Sequence, residues 1–398
     1  MFPQDSKDEL IEIEQNKHSF ITFAKLNKYF LIPFFSPICC MLTNFFLRKI
    51  ISTNIIKNQE LLKSIFIELS YIFGGFLHFI SYFRPKTKKI DKIKLRGIQY
   101  IYNGGRKNYK KYELILFITF LGSLLSLIGF IAIYSQGKNV FNYRLYFLVF
   151  IPLFSKFILK ENIYKHQYLS IIVSIFGAGL LFIPVCLEIG KDDIIPNILK
   201  FFYGVIYSLF IVLIKYMINQ YYISPLILSL LFGIISIFLT SIAFIISSLI
   251  KYNELSIFNN LVDFSETKNE VIVIIYIILA FLFAIALQVL TLLSLFYFSP
   301  NLTIITDTIS PMLTWIVETI QNYKSMIEVI VNPIGYLIVL FSSLIYNEII
   351  ILNFWGLSKN TKIFVEQRVN KEEKQIEDAN LSDSNQNNDM SLNSESNA

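Results

Sequence analysis

The chain has 398 residues, of which 54% are hydrophobic and only 16% are charged, and its formal net charge is +6. A mean hydropathy of +0.56 over this length far exceeds what a single soluble core requires. These values exclude an ordinary soluble globular protein. They predict an all-α polytopic membrane protein.

Ten apolar runs have the length of about 20 residues that a helix needs to cross the hydrocarbon of a bilayer. They cover residues 29–47, 65–83, 113–134, 140–158, 168–186, 199–217, 226–250, 271–297, 301–320 and 332–352. Five runs in each half mean that, if the halves are related, the second is inverted relative to the first. Inverted repeats of this kind are typical of transporters. We therefore expect two five-helix repeats, 29–186 and 199–352.

Basic residues set the expected orientation. In the ten-span arrangement both termini lie on the same side of the membrane, and most of the 35 lysines and arginines lie on that side. Because basic residues are enriched on the cytosolic side, both termini are predicted to be cytosolic. Residues 1–28 form the cytosolic N-terminus, and 84–111 a basic cytosolic loop that we expect to contact anionic lipid headgroups rather than nucleic acid. A membrane-proximal segment, 353–369, precedes a polar, acidic tail at 370–398 that is expected to be disordered.

No pattern of an enzyme is present in the sequence. It has no phosphate-binding loop, nucleophile elbow or zinc-protease motif, and its three histidines are scattered. Its three cysteines have neither a disulfide framework nor the spacing of metal ligands. We expect no catalytic residue, no metal and no cofactor.

The ninth run carries polar residues on one helical face. Thr303, Asp307, Ser310, Thr314 and Glu318 recur at intervals of three or four residues. Two carboxylates facing lipid would be costly, so the stripe is expected to face a cavity or a neighbouring helix. Either a solute or helix–helix hydrogen bonding explains it, and the first four residues are candidate substrate-binding residues.

Single polar residues mark other runs. Gln288 and Asn44 are candidates to bind a solute, or equally a neighbouring helix. Arg144, near the start of the fourth run, either attracts an acidic group of the solute or anchors the helix at the headgroups. Glu68 is near the start of the second run, so it is either interfacial or buried. Lys215 ends the sixth run and should extend to the cytosol, with attraction of an anionic substrate as the alternative.

Short motifs give the chain a resemblance to a known superfamily. They are Phe141-Asn142-Tyr143-Arg144, Phe157-Ile158-Leu159-Lys160-Glu161-Asn162, Gln167-Tyr168-Leu169, Phe176-Gly177-Ala178-Gly179, Tyr222-Ile223-Ser224-Pro225 and Tyr346-Asn347-Glu348-Ile349-Ile350. In this pattern the chain resembles the drug/metabolite transporter superfamily, and in particular eukaryotic members grouped with EamA-type proteins and solute carrier family 35.

The resemblance implies a ten-helix inverted repeat with a central cavity, lined by spans one to four and six to nine, and alternating access. The function it implies is secondary transport of a small organic solute, a metabolite such as a nucleotide sugar, in a Golgi, ER or vacuole-like membrane. Expected partners are the solute and membrane lipids, with no nucleic acid and with a homodimer left open. The alternative is a non-transporting membrane scaffold or receptor that recruits cytosolic partners.

Overall fold

The computed structural model describes residues 21–23, 31–51, 59–82, 111–135, 142–188, 190, 193–221, 223–249, 270–298, 300–321, 326–352, 357, 361, 364–365 and 368. The expected basic loop at 84–111, apart from Lys111, and the tail at 370–398 lie outside these residues. The described part is almost entirely helical, as the apolar runs predict.

Each of the ten apolar runs contains an α-helix within the described residues. They are α1 Leu31–Ile51, α2 Gln59–Tyr82, α3 Lys111–Tyr134, α4 Phe147–Phe154, α5 Lys165–Glu188, α6 Ile194–Tyr221, α7 Pro225–Leu249, α8 Glu270–Tyr297, α9 Thr303–Gln321 and α10 Met326–Tyr346. A 3-10 turn, Tyr143–Tyr146, precedes α4, and a π turn, Ser155–Leu159, follows it. A second 3-10 turn, Pro300–Leu302, precedes α9.

Six of these helices are long and apolar enough to cross a membrane: α3, α5, α6, α7, α8 and α10. Their outward side chains include Leu116, Phe176 and Phe238, each more than 60% exposed. Apolar side chains so exposed, on helices of this length, suit contact with lipid hydrocarbon. The chain thus has the helices of an integral membrane protein.

One predicted boundary is wrong at the end of the tenth run. Helix α10 ends at Tyr346, and Glu348 then adopts a left-handed conformation with φ of 56°. Residues Ile350–Leu352 (β2) are extended and pair antiparallel with Ile21–Phe23 (β1), Ile21 lying opposite Leu352. The left-handed residue ends the helix, and the β-branched side chains that follow favour a strand. The described part of the chain is thus helical as predicted, apart from this one short ribbon.

Contacts divide the chain into two units. The smaller combines 1–25, 163–170 and 344–398 and contains the ribbon, the first turns of α5 and the turn after α10. Its core gathers Ile345, Ile350, Leu352 and Leu357. There the His166 ring, which is fully buried, accepts a hydrogen bond from the Leu352 backbone N–H at 3.5 Å.

The larger unit, 26–162 and 171–343, holds the helical bundle. Helix α1 packs against α8 and α9, and α2 packs against α7 and α8. Helix α3 packs against α6 and α7, and α4 packs against α6. Aromatic rings fill the bundle core, where the Phe232 ring lies 5.1 Å from that of Tyr71 and 5.7 Å from that of Phe210.

Glycines allow α5 and α10 to approach each other closely. A Cβ atom on Gly177 would lie 2.8 Å from a methyl group of Val339, and one on Gly335 would lie 2.6 Å from the Leu181 side chain. Real Cβ atoms do not tolerate such distances, so these two positions require glycine. Small residues serve the same purpose in other membrane helix pairs.

Candidate functional site: a polar cavity within the helical bundle

A small polar cavity lies within the larger unit, bounded by α1, α6, α8, the turn before α4 and the start of α9. Its volume is about 50 Å³, which is room for roughly three to five waters. The lining residues are Ser36, Cys40, Arg144, Tyr207, Ile211, Leu287, Gln288, Thr291, Ser294 and Thr303. Polar groups from five segments therefore converge on one point of an otherwise apolar bundle.

Arg144 alone carries a formal charge among the described lining residues. Its Nη2 atom donates a hydrogen bond to Cys40 Sγ at 3.0 Å. The backbone N–H of Arg144 donates to Asn142 Oδ1 at 3.2 Å, and this bond caps the 3-10 turn. Cys40 lies in the middle of α1, so the guanidinium reaches the bundle interior. A cation at such a position is costly to bury and marks a candidate binding site.

Hydroxyl groups make up most of the remaining polar lining. Ser36 and Thr291 lie with their hydroxyl oxygens 3.4 Å apart, and Thr291 donates to the Leu287 carbonyl at 2.9 Å. Ser294 is 2% exposed, and its Oγ has no hydrogen-bond partner within the part of the chain that the structure describes. Such a group is ready to bind water or a solute, because an unsatisfied buried hydroxyl is costly.

Tyr207 forms the aromatic side of the cavity. Its ring is nearly parallel to that of Phe147, with centroids 5.0 Å apart, and to that of Tyr203, with centroids 6.0 Å apart. These contacts hold the ring in place. Tyr203 and Tyr207 are one helical turn apart on α6. In the structure they pack on each other, while Tyr207 also lines the cavity.

The structure brings three of the predicted binding residues together. Arg144, Gln288 and Thr303 line the cavity. Thr303 is 3% exposed and donates to the Pro300 carbonyl at 2.6 Å, while Gln288 is 7% exposed. These residues come from three different segments of the sequence, and only the fold places them side by side.

The other predicted binding residues lie elsewhere or outside the description. Asn44 donates to Cys40 Sγ at 3.6 Å within α1 and is not a lining residue. Ser310 is 1% exposed, whereas Thr314 is half-buried and donates to the Ser310 carbonyl, and neither residue lines the cavity. The side chains of Asp307 and Glu318 lie outside the described residues.

Four polar lining residues were not predicted from the sequence: Ser36, Cys40, Thr291 and Ser294. Serine, threonine and cysteine are common in membrane helices, where they bond to their own backbone, so their presence alone gives little signal. A usable signal was the repetition of polar residues at helical spacing over Leu287–Ser294 in α8. Gln288, Thr291 and Ser294 lie there at intervals of three.

Lys215 does not extend to the cytosol as predicted. It is 9% exposed, and its Nζ donates to the carbonyls of Leu295 at 2.7 Å and Phe296 at 3.4 Å. Helix α6 continues to Tyr221, so Lys215 is not at its end. The ammonium group instead binds the last carbonyls of α8, where the helix dipole favours a positive charge.

Glu68 is buried, which decides between the two positions that the sequence allowed. Helix α2 begins at Gln59 rather than near 65, so Glu68 lies well inside the helix. It is 3% exposed. Its carboxylate accepts hydrogen bonds from Ser236 and Thr240 of α7.

Comparison with known proteins identifies no family. No family model matches the chain, and no curated protein matches it. Several solved structures are similar in fold, and one of them is a crystal structure of a protein with a TM-score of 0.52 and 11% sequence identity. The similarity covers 80% of this chain and 96% of that protein's chain. At this identity the likeness concerns the fold alone.

Proposed function

We propose that this protein is a secondary transporter of a small organic solute and that it works by alternating access. The observation that carries the proposal is the polar cavity, in which Arg144, Gln288 and Ser294 meet among apolar helices. A cavity of about 50 Å³ holds a few waters but no metabolite. The helices around it therefore have to move apart to admit a solute, as alternating access requires.

The proposal includes ten membrane spans arranged as a five-plus-five inverted repeat. The packing of the bundle supports this arrangement. If each helix of a main packed pair is replaced by its counterpart in the other half, five helices away in the chain, the resulting pair also packs together. The pair α1–α8 becomes α6–α3, α1–α9 becomes α6–α4, and α2–α8 becomes α7–α3, all of which pack together. The pair α2–α7 maps onto itself. Two related halves with the cavity between them produce this pattern.

Membership of the drug/metabolite transporter superfamily, close to the EamA-like and solute carrier family 35 members, is part of the proposal. So are an endomembrane location and cytosolic termini. In this account Asp307 contacts the solute or a coupling proton from the cytosolic side. The residue follows Thr303, which lines the cavity, by four positions in the sequence, and this spacing supports its assignment. In the alternative, a non-transporting scaffold or receptor, residues 84–111 and the tail at 370–398 recruit the cytosolic partners.

The proposal is tested by thermal unfolding of the purified protein with a panel of nucleotides, nucleotide sugars, sugars, amino acids and amines. A solute that binds only the folded state raises the unfolding temperature. A solute selected in this way is then supplied, radiolabelled, to proteoliposomes. Uptake into protein-containing vesicles above that of protein-free vesicles is the expected result. Binding without uptake, under either direction of gradient, would favour the receptor alternative.

A further inference from the structure

A carboxylate held by hydroxyl groups lies between α2, α3 and α7. Oε1 of Glu68 accepts hydrogen bonds from Thr240 Oγ1 at 2.7 Å and from Ser236 Oγ at 2.9 Å. The Ser126 hydroxyl on α3 lies 3.2 Å from that of Thr240. Thr240 has one proton and gives it to Glu68, so Ser126 is the donor in the second bond. The three groups thus form a chain that ends at the carboxylate.

The surroundings of this group are closely packed. Ser126, Ser236 and Thr240 are each no more than 6% exposed. A methyl group on Gly129 of α3 would overlap the hydroxyl of Ser64, one turn before Glu68 on α2. None of these residues lines the solute cavity. The cluster is therefore a second polar site inside the bundle.

The helices around Glu68 supply no counter-charge within the described residues. Helix α7 has no acidic, basic or histidine residue along its length. The titratable residues on α2 and on the other helices packed against it are Glu60, Lys63, Tyr71, His78 and Tyr82 on α2, Lys111, Tyr112, Glu113 and Tyr134 on α3, Glu270, Tyr276 and Tyr297 on α8, and Cys39, Cys40, Arg48 and Lys49 on α1. No described side chain of this set forms a hydrogen bond or an ion pair with the Glu68 carboxylate. Its described partners are the two α7 hydroxyls.

Physical chemistry favours a proton as the ligand of this site. An ionised carboxylate among apolar helices is costly, and two neutral hydroxyl donors compensate only part of that cost. Oxygen–oxygen distances of 2.7 and 2.9 Å are those of direct hydrogen bonds, in which the hydroxyl hydrogens point at the carboxylate. The hydroxyl hydrogens lie between these oxygens and the carboxylate, so the oxygens cannot hold a metal cation in that place. A proton on the carboxyl group removes the charge without requiring space.

We propose that Glu68 is an intramembrane proton-binding site and that its protonation is coupled to solute transport; the coupling rests on the proposed function. The proton stabilises the packed arrangement of α2, α3 and α7. Its release requires water to reach the carboxylate, and water enters when α7 moves away from α2. Loss of the proton then favours the separated arrangement, because the charge gains hydration there. The proton gradient thereby shifts the equilibrium between the two arrangements.

The proton site is tested without any solute by treating the reconstituted protein with dicyclohexylcarbodiimide. The protonated carboxyl group adds across a C=N bond of the reagent: its oxygen bonds the central carbon, its proton moves to nitrogen, and the adduct rearranges to a stable N-acylurea with no atom lost. Mass spectrometry should find the added mass on the Glu68 peptide at acidic pH, and labelling should fall at alkaline pH. Glu113, in the first turn of α3 and exposed, is the control and should remain unlabelled. Absence of label on Glu68 at every pH would overturn the proton site.

The coupling is tested with Glu68→Gln in proteoliposomes, with Glu113→Gln as the matched control. An inward proton gradient should accelerate solute uptake by the wild type and the control, and Glu68→Gln should lose this acceleration while still exchanging solute without a gradient. An unchanged gradient response in Glu68→Gln would overturn the coupling.

If Glu68→Gln does not fold, the variant Thr240→Val is labelled instead. A changed pH dependence of labelling supports the proton site, and an unchanged one overturns the assigned role of the hydroxyl chain. If the wild type moves no solute, the proposed function fails and labelling alone decides the proton site.

Discussion

Arg144 places a cation against the middle of α1. Its Nη2 contacts Cys40 Sγ, a weak acceptor, at the wall of the cavity. A guanidinium group binds carboxylates and phosphates in a planar, bidentate geometry, so an acidic group of a solute is the partner that this position suits. Under the proposed function, the hydroxyls of Thr291, Ser294 and Thr303 bind neutral parts of the same solute.

The first prediction at this scale concerns Arg144→Gln. Hydrogen bonds to charged groups contribute about 1.5–3 kcal/mol, so an acidic solute should bind about ten- to a hundredfold more weakly. Titration calorimetry with the solute found in the thermal panel measures this. Arg48→Gln is the control, since Arg48 is in the last turn of α1 and does not line the cavity. Equal dissociation constants for both variants and the wild type would remove Arg144 from the site.

A second prediction concerns Lys215→Met. The substitution keeps the apolar stem and removes the ammonium group, which leaves the carbonyls of Leu295 and Phe296 without this donor. We expect the unfolding temperature in detergent to fall by several degrees, because unpaired buried carbonyls are costly. Lys156→Met, at an exposed position, should change it little. Equal effects of the two substitutions would contradict the capping role of Lys215.

Helices α5 and α10 meet at two glycines. We predict that Gly177→Leu and Gly335→Leu each lower the unfolding temperature, because the added side chains would force the helix backbones apart. Gly179, on α5 as well, has no atom within 4 Å of an added Cβ and is the matched control. Gly179→Leu should therefore be tolerated. A loss of stability in Gly179→Leu as large as in Gly177→Leu would contradict the packing account.

Elements were easier to predict than the residues that face the cavity. Hydropathy predicts a helix over each apolar run, because the thickness of the hydrocarbon layer determines how many consecutive apolar residues a span needs. The side on which Thr303 or Asn44 faces depends on the rotation of each helix against its neighbours, and single-residue patterns do not determine that rotation. Lys215 shows a related error: α6 extends beyond its apolar run, so a residue expected at the helix end lies inside. Helix α2 also begins before its apolar run, and this places Glu68 at the buried one of the two positions that the sequence allowed. The strand at Ile350–Leu352 was missed because its apolar residues continue the tenth run.

At the scale of the whole molecule, the distribution of basic residues in the sequence predicts the orientation in the membrane. Tags inserted near Gly104 and placed after Ala398 should both be cytosolic, and a tag near Asn260 should lie on the opposite side. Protease accessibility in sealed vesicles measures this. Protection of the Gly104 tag while the Ala398 tag is digested would contradict the ten-span arrangement.

The central claim is that the cavity opens to each side of the membrane in turn, and Cys40 tests it most directly. In a variant with Cys39 and Cys186 replaced by alanine, a charged, membrane-impermeant methanethiosulfonate is applied to one side of sealed vesicles and then to the other. The account predicts that Cys40 reacts from both sides and that the solute slows both reactions. A variant that keeps only Cys186, an exposed residue near the end of α5, is the control and should react from one side at most. Reaction of Cys40 from one side only, or from neither, would contradict alternating access through this cavity.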